Sequence, residues 1–251
     1  MGNPFNLLGK NILIVGASSG IGQAITFISL QSGGLIVAVD ESTETLEDLK
    51  KSTFSSRLYL EDLSIYKTEL IENGVQKLYD QFGSFDGFVY CAGIGGVRPL
   101  SFTSVAFNQE MMNANYFTFL EFVRCLSKRK KLSNGGSIVA ISSIASTKGL
   151  KSKIAYSASK AALDAAIRNL AAELSEKKIR VNSIQKGWVS SDMHKDFIQN
   201  NQSISNSNDF KKQLLDIIEP EEIANTTIFL LSEAAPSITG TSIILDGGYS
   251  L

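Results

Sequence analysis

Gly16-Ala17-Ser18-Ser19-Gly20-Ile21-Gly22 lies directly after the apolar run Asn11-Ile12-Leu13-Ile14-Val15 and opens a segment of helical period. Glycines at a strand-to-helix turn let the backbone bend sharply and approach a ligand closely. The free N–H groups and the dipole of the helix that follows attract negative charge. Working outward, a second apolar run, Leu35-Ile36-Val37-Ala38-Val39, ends in Asp40. A carboxylate at the end of the second strand is placed to accept the hydroxyls of a ribose. Gly16, Ser18, Ser19, Gly20, Ile21, Gly22 and Asp40 are therefore the expected cradle of a dinucleotide.

Beyond these two runs the same pattern repeats. Short apolar runs at Arg57-Leu60, Gly87-Tyr90, Ser137-Ile141, Arg180-Ile184 and Ser242-Leu245 alternate with longer stretches of helical period. The helical stretches are Gly22-Ser32, Thr43-Ser52, Ile65-Phe82, Ser104-Lys130, Ala155-Glu176 and Glu221-Ser232. Most strand candidates are nearly continuous Ile, Val and Leu, as expected when helices cover both faces of a parallel sheet. The expected fold class is α/β: a single-domain Rossmann fold over residues 1–251, with a doubly wound parallel sheet of about seven strands. No repeat, low-complexity tract or proline-rich linker marks a domain boundary. The polar segment Asp192 to Asn208, rich in asparagine and serine, stands apart, either as a solvated loop or as part of a substrate loop or lid over residues 188–218.

Composition narrows the partners. With 24 basic against 25 acidic side chains, a net charge of −1 leaves no basic excess for nucleic acid or an anionic membrane surface. No run approaches the roughly 18 apolar residues of a membrane span. Two cysteines, Cys91 and Cys125, make neither a disulfide framework nor a metal site by spacing. A soluble, cytoplasmic protein without a metal is expected. At the nucleotide site, a 2′-phosphate would meet the like charge of Asp40, and neither Ser19 nor Glu41 supplies a compensating cation. NAD(H) is expected to be preferred over NADP(H).

The Gly16, Gly20, Gly22 spacing resembles the turn of the short-chain dehydrogenase/reductase family, and further segments agree in order. Tyr156-Ser157-Ala158-Ser159-Lys160 resembles that family's Y-x-x-x-K motif, with Ser143 at the spacing of its catalytic serine. Asn115 falls where the family places a helical asparagine, Asp62-Leu63 resembles its adenine-contacting pair, and Ala92-Gly93 resembles the end of its N-N-A-G signature. The closing stretch from Ile238 to Tyr249 is also similar, so the likeness runs from about Lys10 to the C-terminus. Val15, Cys91 and Lys186 depart from it; the last replaces the proline of a P-G motif in Lys186-Gly187-Trp188-Val189-Ser190-Ser191. The resemblance implies that Gly187, Val189 and Ser191 lie along the nicotinamide half of the cofactor, and that Tyr156 and Lys160 also touch it. It further implies a homotetramer or homodimer paired through the Ser104-Lys130 and Ala155-Glu176 helices.

The implied chemistry is hydride exchange between a nicotinamide and a secondary alcohol or ketone. An alkoxide formed from a ketone must gain a proton, which Tyr156 would give. Lys160, one helical turn on, is expected to pull the phenol's pKa down. Ser143 would hold the substrate oxygen, and Asn115 would link Lys160 to solvent through a water. Within the family the pattern resembles bacterial 3-oxoacyl-carrier-protein reductases, which implies a 3-oxoacyl thioester or a similar 3-keto compound. A sugar, polyol or cyclic alcohol dehydrogenase is the alternative, and the NAD preference favours it. A catalytically silent NAD-sensing protein would be expected to lack Tyr156, Lys160 or Ser143. His194 is expected to be solvated, Cys91 to act as a small buried hydrophobe, and the aromatic group around Phe102 to Phe122 to be packing surface.

Overall fold

A computed structural model describes residues 3–52, 54, 56–190 and 212–251. Seven strands form one sheet in the order β3-β2-β1-β4-β5-β6-β7, every neighbouring pair parallel. The strands are β1 (Asn11–Val15), β2 (Leu35–Asp40), β3 (Leu58–Asp62), β4 (Phe85–Tyr90), β5 (Leu132–Ser143), β6 (Arg180–Lys186) and β7 (Ser242–Leu245). The helices are α1 (Gly20–Gln31), α2 (Glu47–Lys50), α3 (Thr68–Phe82), α4 (Val105–Met112), α5 (Thr118–Ser127), α6 (Ile154–Glu173) and α7 (Pro220–Leu231).

Two-residue alternation along the strands builds two cores. Leu13, Val15, Val37, Val39, Phe88 and Tyr90 face one side, where Val75 of α3, Phe122 of α5 and Leu163 of α6 join them. Ile12, Ile14, Ile36, Ala38 and Val89 face the other, against Ile25 of α1 and Ile228 of α7. Helices on both faces explain why the strands read as unbroken apolar runs rather than alternating ones. The strand order reverses between β1 and β4, which opens a crevice at the carboxyl ends of these strands.

Three elements differ from the sequence expectation. The Thr43-Ser52 helix shrinks to a 3₁₀ turn, Glu44–Leu46, and the single turn of α2. Only Leu46 of these residues is buried, too little apolar surface to hold a longer helix. The Ser104-Lys130 helix is interrupted by a π turn over Asn113–Phe117 that separates α4 from α5. It ends by Ser127, because Arg129 and Lys130 take positive φ. Strand β5 begins at Leu132, ahead of the expected Ser137, and its pairing with β4 shifts register between Phe85 and Gly87. Among the described residues no helix is long and apolar enough to cross a membrane.

Candidate active site

The glycine turn is built so that no side chain fits. Gly16, at φ +81°, ends β1 where a Cβ would fall 2.2 Å from the Ala92 nitrogen, and a Cβ on Gly22 would fall 1.9 Å from the Gly16 carbonyl oxygen. The first turn of α1 holds no acidic residue, and Ser19, at its N-cap, makes no side-chain cap. Its N–H donors are therefore not taken by a side chain of the chain's own. Asp40 closes the other wall. Its two carboxylate oxygens accept from the Ser18 N–H at 2.9 Å and the Glu41 N–H at 2.8 Å. The Ser18 hydroxyl donates to the Ser42 carbonyl at 2.6 Å. Asp62 pairs with Asp40 across β2 and β3 and accepts from both the N–H and the hydroxyl of Thr43, each at 2.8 Å. In this structure Asp62 thus pins the loop beyond Asp40, and Leu63 donates its N–H to the Asp40 carbonyl at 2.8 Å.

Across the crevice, Ser143 ends β5, and Tyr156 and Lys160 lie one turn apart on α6. Tyr156 is 8% exposed and Lys160 5%. The Ser143 hydroxyl oxygen accepts from the Ala145 N–H at 3.2 Å and lies beside the Tyr156 phenol. Lys160 donates to the Ile141 carbonyl at 2.8 Å, and its ammonium is 6.0 Å from the centre of the Tyr156 ring. Burial, assisted by the charge of Lys186, holds the Lys160 amine down at about 8. Burial also raises the Tyr156 phenol above its ordinary value, while the adjacent Ser143 hydroxyl pulls it back. The expected lowering by Lys160 is absent: desolvation dominates, and the ammonium is engaged by Ile141 rather than aimed at the phenol.

Asn115 sits in the π turn, fully buried. Its side-chain carbonyl accepts from the Ile94 N–H at 3.0 Å, and its amide donates to the Ile94 carbonyl at 3.1 Å and the Ser159 hydroxyl at 2.9 Å. It therefore ties the strand β4 loop to α6. Gly93 lies between, where a Cβ would come 2.5 Å from the Asn115 carbonyl oxygen and 3.5 Å from the Lys160 amine. Ser143, Tyr156, Lys160, Asn115, Ala92 and Gly93 thus gather at the end of the sheet nearest the glycine turn. Gly187 follows β6, where a Cβ would strike the Gln213 side chain at 2.4 Å. Val189 is buried and bridges to Ile218. Ser191, His194 and the Asp192-Asn208 segment lie outside the described residues.

A family model described as enoyl-(acyl carrier protein) reductase matches residues 16–250. D-threitol dehydrogenase of Mycolicibacterium smegmatis is 30% identical over 253 residues, covering 98% of this chain and 95% of that one. A 3-oxoacyl-[acyl-carrier-protein] reductase of Thermotoga maritima is 29% identical over 244 residues, covering 96% and 98%. The crystal structure of a dehydrogenase/reductase from Sinorhizobium meliloti superposes with a TM-score of 0.88 at 26% identity, over 99% of this chain and 98% of the other. The chain belongs to the short-chain dehydrogenase/reductase family. It is accordingly an oxidoreductase acting on CH–OH groups with NAD(P).

For a short-chain dehydrogenase/reductase the crevice fits its cofactor. The space a Cβ would fill at Gly16 and Gly22, the uncapped start of α1 and the oriented Asp40 carboxylate suit the adenosine diphosphate half. When bound, the nicotinamide supplies or accepts the hydride. On the substrate side Tyr156 packs with Phe107, Met111, Ala145 and Ala155, and with the partly buried Ile94 and Leu150. Cys91 is inert here, because burial and the Asp40 carboxylate push its thiol well above the ordinary range.

Two features of this site were not singled out from the sequence. Gln213 is buried and its side chain spans two turns. It accepts from the Trp188 N–H at 2.9 Å and donates to the Trp188 and Asp216 carbonyls. Lys153 places its ammonium 5.3 Å from the centre of the Tyr156 ring and 5.6 Å from that of Trp188. No local pattern announces either residue, since the contacts each makes with Trp188 join segments distant in sequence. Away from the site, Glu72, Glu121 and Cys125 gather on α3 and α5. Arg124 and Lys128 neutralise the two carboxylates at 2.5 to 2.8 Å, which accounts for that cluster as an ionic network.

Proposed function

We propose that this chain is an NAD(H)-dependent enzyme that interconverts a secondary alcohol and a ketone, with Tyr156 as the acid/base. The observation that carries the reading is the meeting of a buried phenol, an adjacent serine hydroxyl and a buried ammonium beside a side-chain-free nucleotide turn. The substrate oxygen would be held by the Ser143 and Tyr156 hydroxyls. In the reductive direction Tyr156 gives up its proton as the alkoxide forms, and its raised pKa keeps that proton in place until then. The phenolate left behind is stabilised by the Ser143 hydroxyl, the group that pulls the Tyr156 pKa down. Asn115 acts as a positioning residue: it fixes the Ile94 backbone and Ser159, and through them the seat of Lys160.

NAD(H) is the preferred cofactor in this reading, because the Asp40 carboxylate is held at the pocket wall by two N–H donors and would repel a 2′-phosphate. A sugar, polyol or similar hydroxy compound is the favoured substrate class, since an NAD-linked enzyme suits oxidation and one relative is named for a polyol. The 3-oxoacyl thioester, the leading expectation from the sequence, becomes the second reading, favoured by the relative named for it and by the apolar wall of Ile94, Phe107, Met111 and Leu150. The two unbridged cysteines suit a cytoplasmic location. Exposed Val105, Phe117 and Ile154 supply apolar surface for the expected pairing of protomers into a homodimer or homotetramer.

The test is a screen of alcohols and ketones followed at the NADH absorbance, run with wild type and Tyr156→Phe. The substitution removes only the phenolic oxygen, so turnover should fall about 10²- to 10⁴-fold while NADH affinity holds. A variant that kept more than about a tenth of the wild-type turnover would remove Tyr156 from the mechanism.

A further inference from the structure

Lys186 replaces an uncharged residue of the family pattern at the carboxyl end of β6, and its position is defined by the sheet. It pairs in register with Ser143 on β5. Paired residues of adjacent parallel strands project to the same face, about 4.8 Å apart. The ammonium of Lys186 therefore starts from a backbone position next to that of the serine expected to hold the substrate oxygen. Among the described residues its side chain takes part in no hydrogen bond or ion pair. Neither neighbouring carboxylate forms an ion pair with it. Asp164, on the opposite face of β6, accepts from Ser183 and Gln185, each at 2.8 Å. Asp246, following the Leu245 that pairs with Lys186, accepts from the Gly248 N–H at 3.0 Å through one oxygen, while its other oxygen is buried without a hydrogen-bond partner.

The surroundings of Lys186 are positive. Lys153 lies against Tyr156 and Trp188, and its charge, after burial, helps hold Lys186 down at about 8. The two loops that border the apolar pocket, Ile94 to Ser104 and Ile144 to Lys153, contain Arg98, Lys148, Lys151 and Lys153 but no aspartate or glutamate. The Arg98 N–H donates to the Ser152 carbonyl at 2.8 Å and joins them. In a chain with 24 basic and 25 acidic residues this is a local concentration, not a general excess. An unpaired ammonium taken partly out of water is unfavourable unless a counter-charge arrives. A solvated surface would need no lysine at an inward strand end.

We propose that the substrate carries an anionic group, a carboxylate or a phosphate, close to the carbon that exchanges the hydride, and that Lys186 with Lys153 binds it. The inference rests on the oxidoreductase reading of this site and narrows its substrate class. A hydroxy acid, keto acid or phosphorylated polyol satisfies it. A 3-oxoacyl thioester does not, because the phosphate of a pantetheine arm lies far from the keto carbon.

The experiment is calorimetric titration of oxalate, inorganic phosphate and glycerol into the enzyme saturated with NADH, for wild type, Lys186→Met, Lys186→Arg and Lys153→Met. At least one anion should bind wild type while glycerol does not, and whichever anion is tighter identifies carboxylate or phosphate. Lys186→Met should weaken that anion by about tenfold or more, Lys186→Arg should retain most of the affinity, and NADH binding should shift less than about threefold. Failure of both anions to bind below about 10 mM would overturn the inference, as would equal binding by Lys186→Met. A parallel loss of NADH affinity in Lys186→Met would overturn it too, by assigning Lys186 to the cofactor. The oxidoreductase reading fails separately, through turnover retained by Tyr156→Phe, an outcome that leaves the anion titrations untouched.

Discussion

Replacing Lys186 with methionine should stabilise the protein in the absence of substrate. The amine is held at about 8 against an ordinary 10.5, so near neutral pH the folded state carries an ammonium it disfavours. Taken whole, that difference corresponds to about 3 kcal/mol. Lys186 is half-buried, and part of its shift belongs to repulsion shared with Lys153, so roughly 1–2 kcal/mol is the expected gain for the variant at pH 7. In a chain of this size that is a rise of roughly 2–8 °C in Tm. The sign reverses none of this but limits it in pH. Below about 8 both folded and unfolded chains hold the proton and the penalty is complete. Between about 8 and 10.5 the folded protein releases it first and the penalty shrinks, so wild-type stability rises toward the variant's; above 10.5 nothing remains. Urea unfolding of both proteins at pH 7 and pH 10 measures the gap. An anion that fills the site should close it at pH 7 as well, by about 2.7 kcal/mol at a hundred times its Kd, through binding to wild type alone. A less stable Lys186→Met at pH 7, or a gap independent of pH, would show that the ammonium is not strained and would refute the reasoning.

Other outcomes follow from the nucleotide side. Asp40→Ala should bring NADP(H) affinity toward that of NAD(H), from a starting preference of about tenfold or more, as measured by fluorescence titration with both cofactors. Equal affinities in the wild type would leave the carboxylate without the selective role. Gly22→Ala should abolish NADH binding and lower the unfolding midpoint, because the new methyl would fall 1.9 Å from the Gly16 carbonyl oxygen and the turn must open to admit it. Normal NADH titration by that variant would mean that the turn is looser than its geometry indicates.

The nucleotide half of the site is legible in the sequence because its determinants are local. A glycine is needed where Gly16 meets Ala92 and where Gly22 meets Gly16, and an acidic residue ends β2; each is a short-range requirement written in residue type. Strands β1, β2 and β4 are legible for a similar reason, since burial on both faces admits little but apolar side chains. The π turn at Asn113–Phe117 is not, because one extra residue in a helical turn leaves the apolar period almost unchanged. Yet that turn carries Asn115, whose three side-chain hydrogen bonds reach Ile94 and Ser159. Gln213 escapes notice because a glutamine has no periodic signature, and its partners, Trp188 and Asp216, matter only once β6 and β7 are side by side.

Charge is where sequence spacing misleads most. Tyr156 and Lys160 stand one turn apart, and spacing alone predicts a phenol made more acidic by its neighbour. In the folded chain both groups are buried, and burial disfavours either charge: the phenol rises and the amine falls toward about 8. The two shifts have one consequence for direction. At neutral pH the resting pair is phenol and ammonium, poised to protonate an alkoxide; running the reaction toward the ketone requires Tyr156 to ionise first. A further positive charge close to the phenol would lower that barrier, and the chain supplies one in Lys153, 5.3 Å from the ring centre, as the bound oxidised nicotinamide would supply another. If the bound anion is neutralised by Lys186 and Lys153 together, its arrival weakens the help Lys153 gives to the phenolate. Oxidation of an anionic substrate should then require a higher pH than oxidation of a neutral analogue. The lysine that stands in place of the family's proline is thereby tied to the acid/base step as well as to substrate charge.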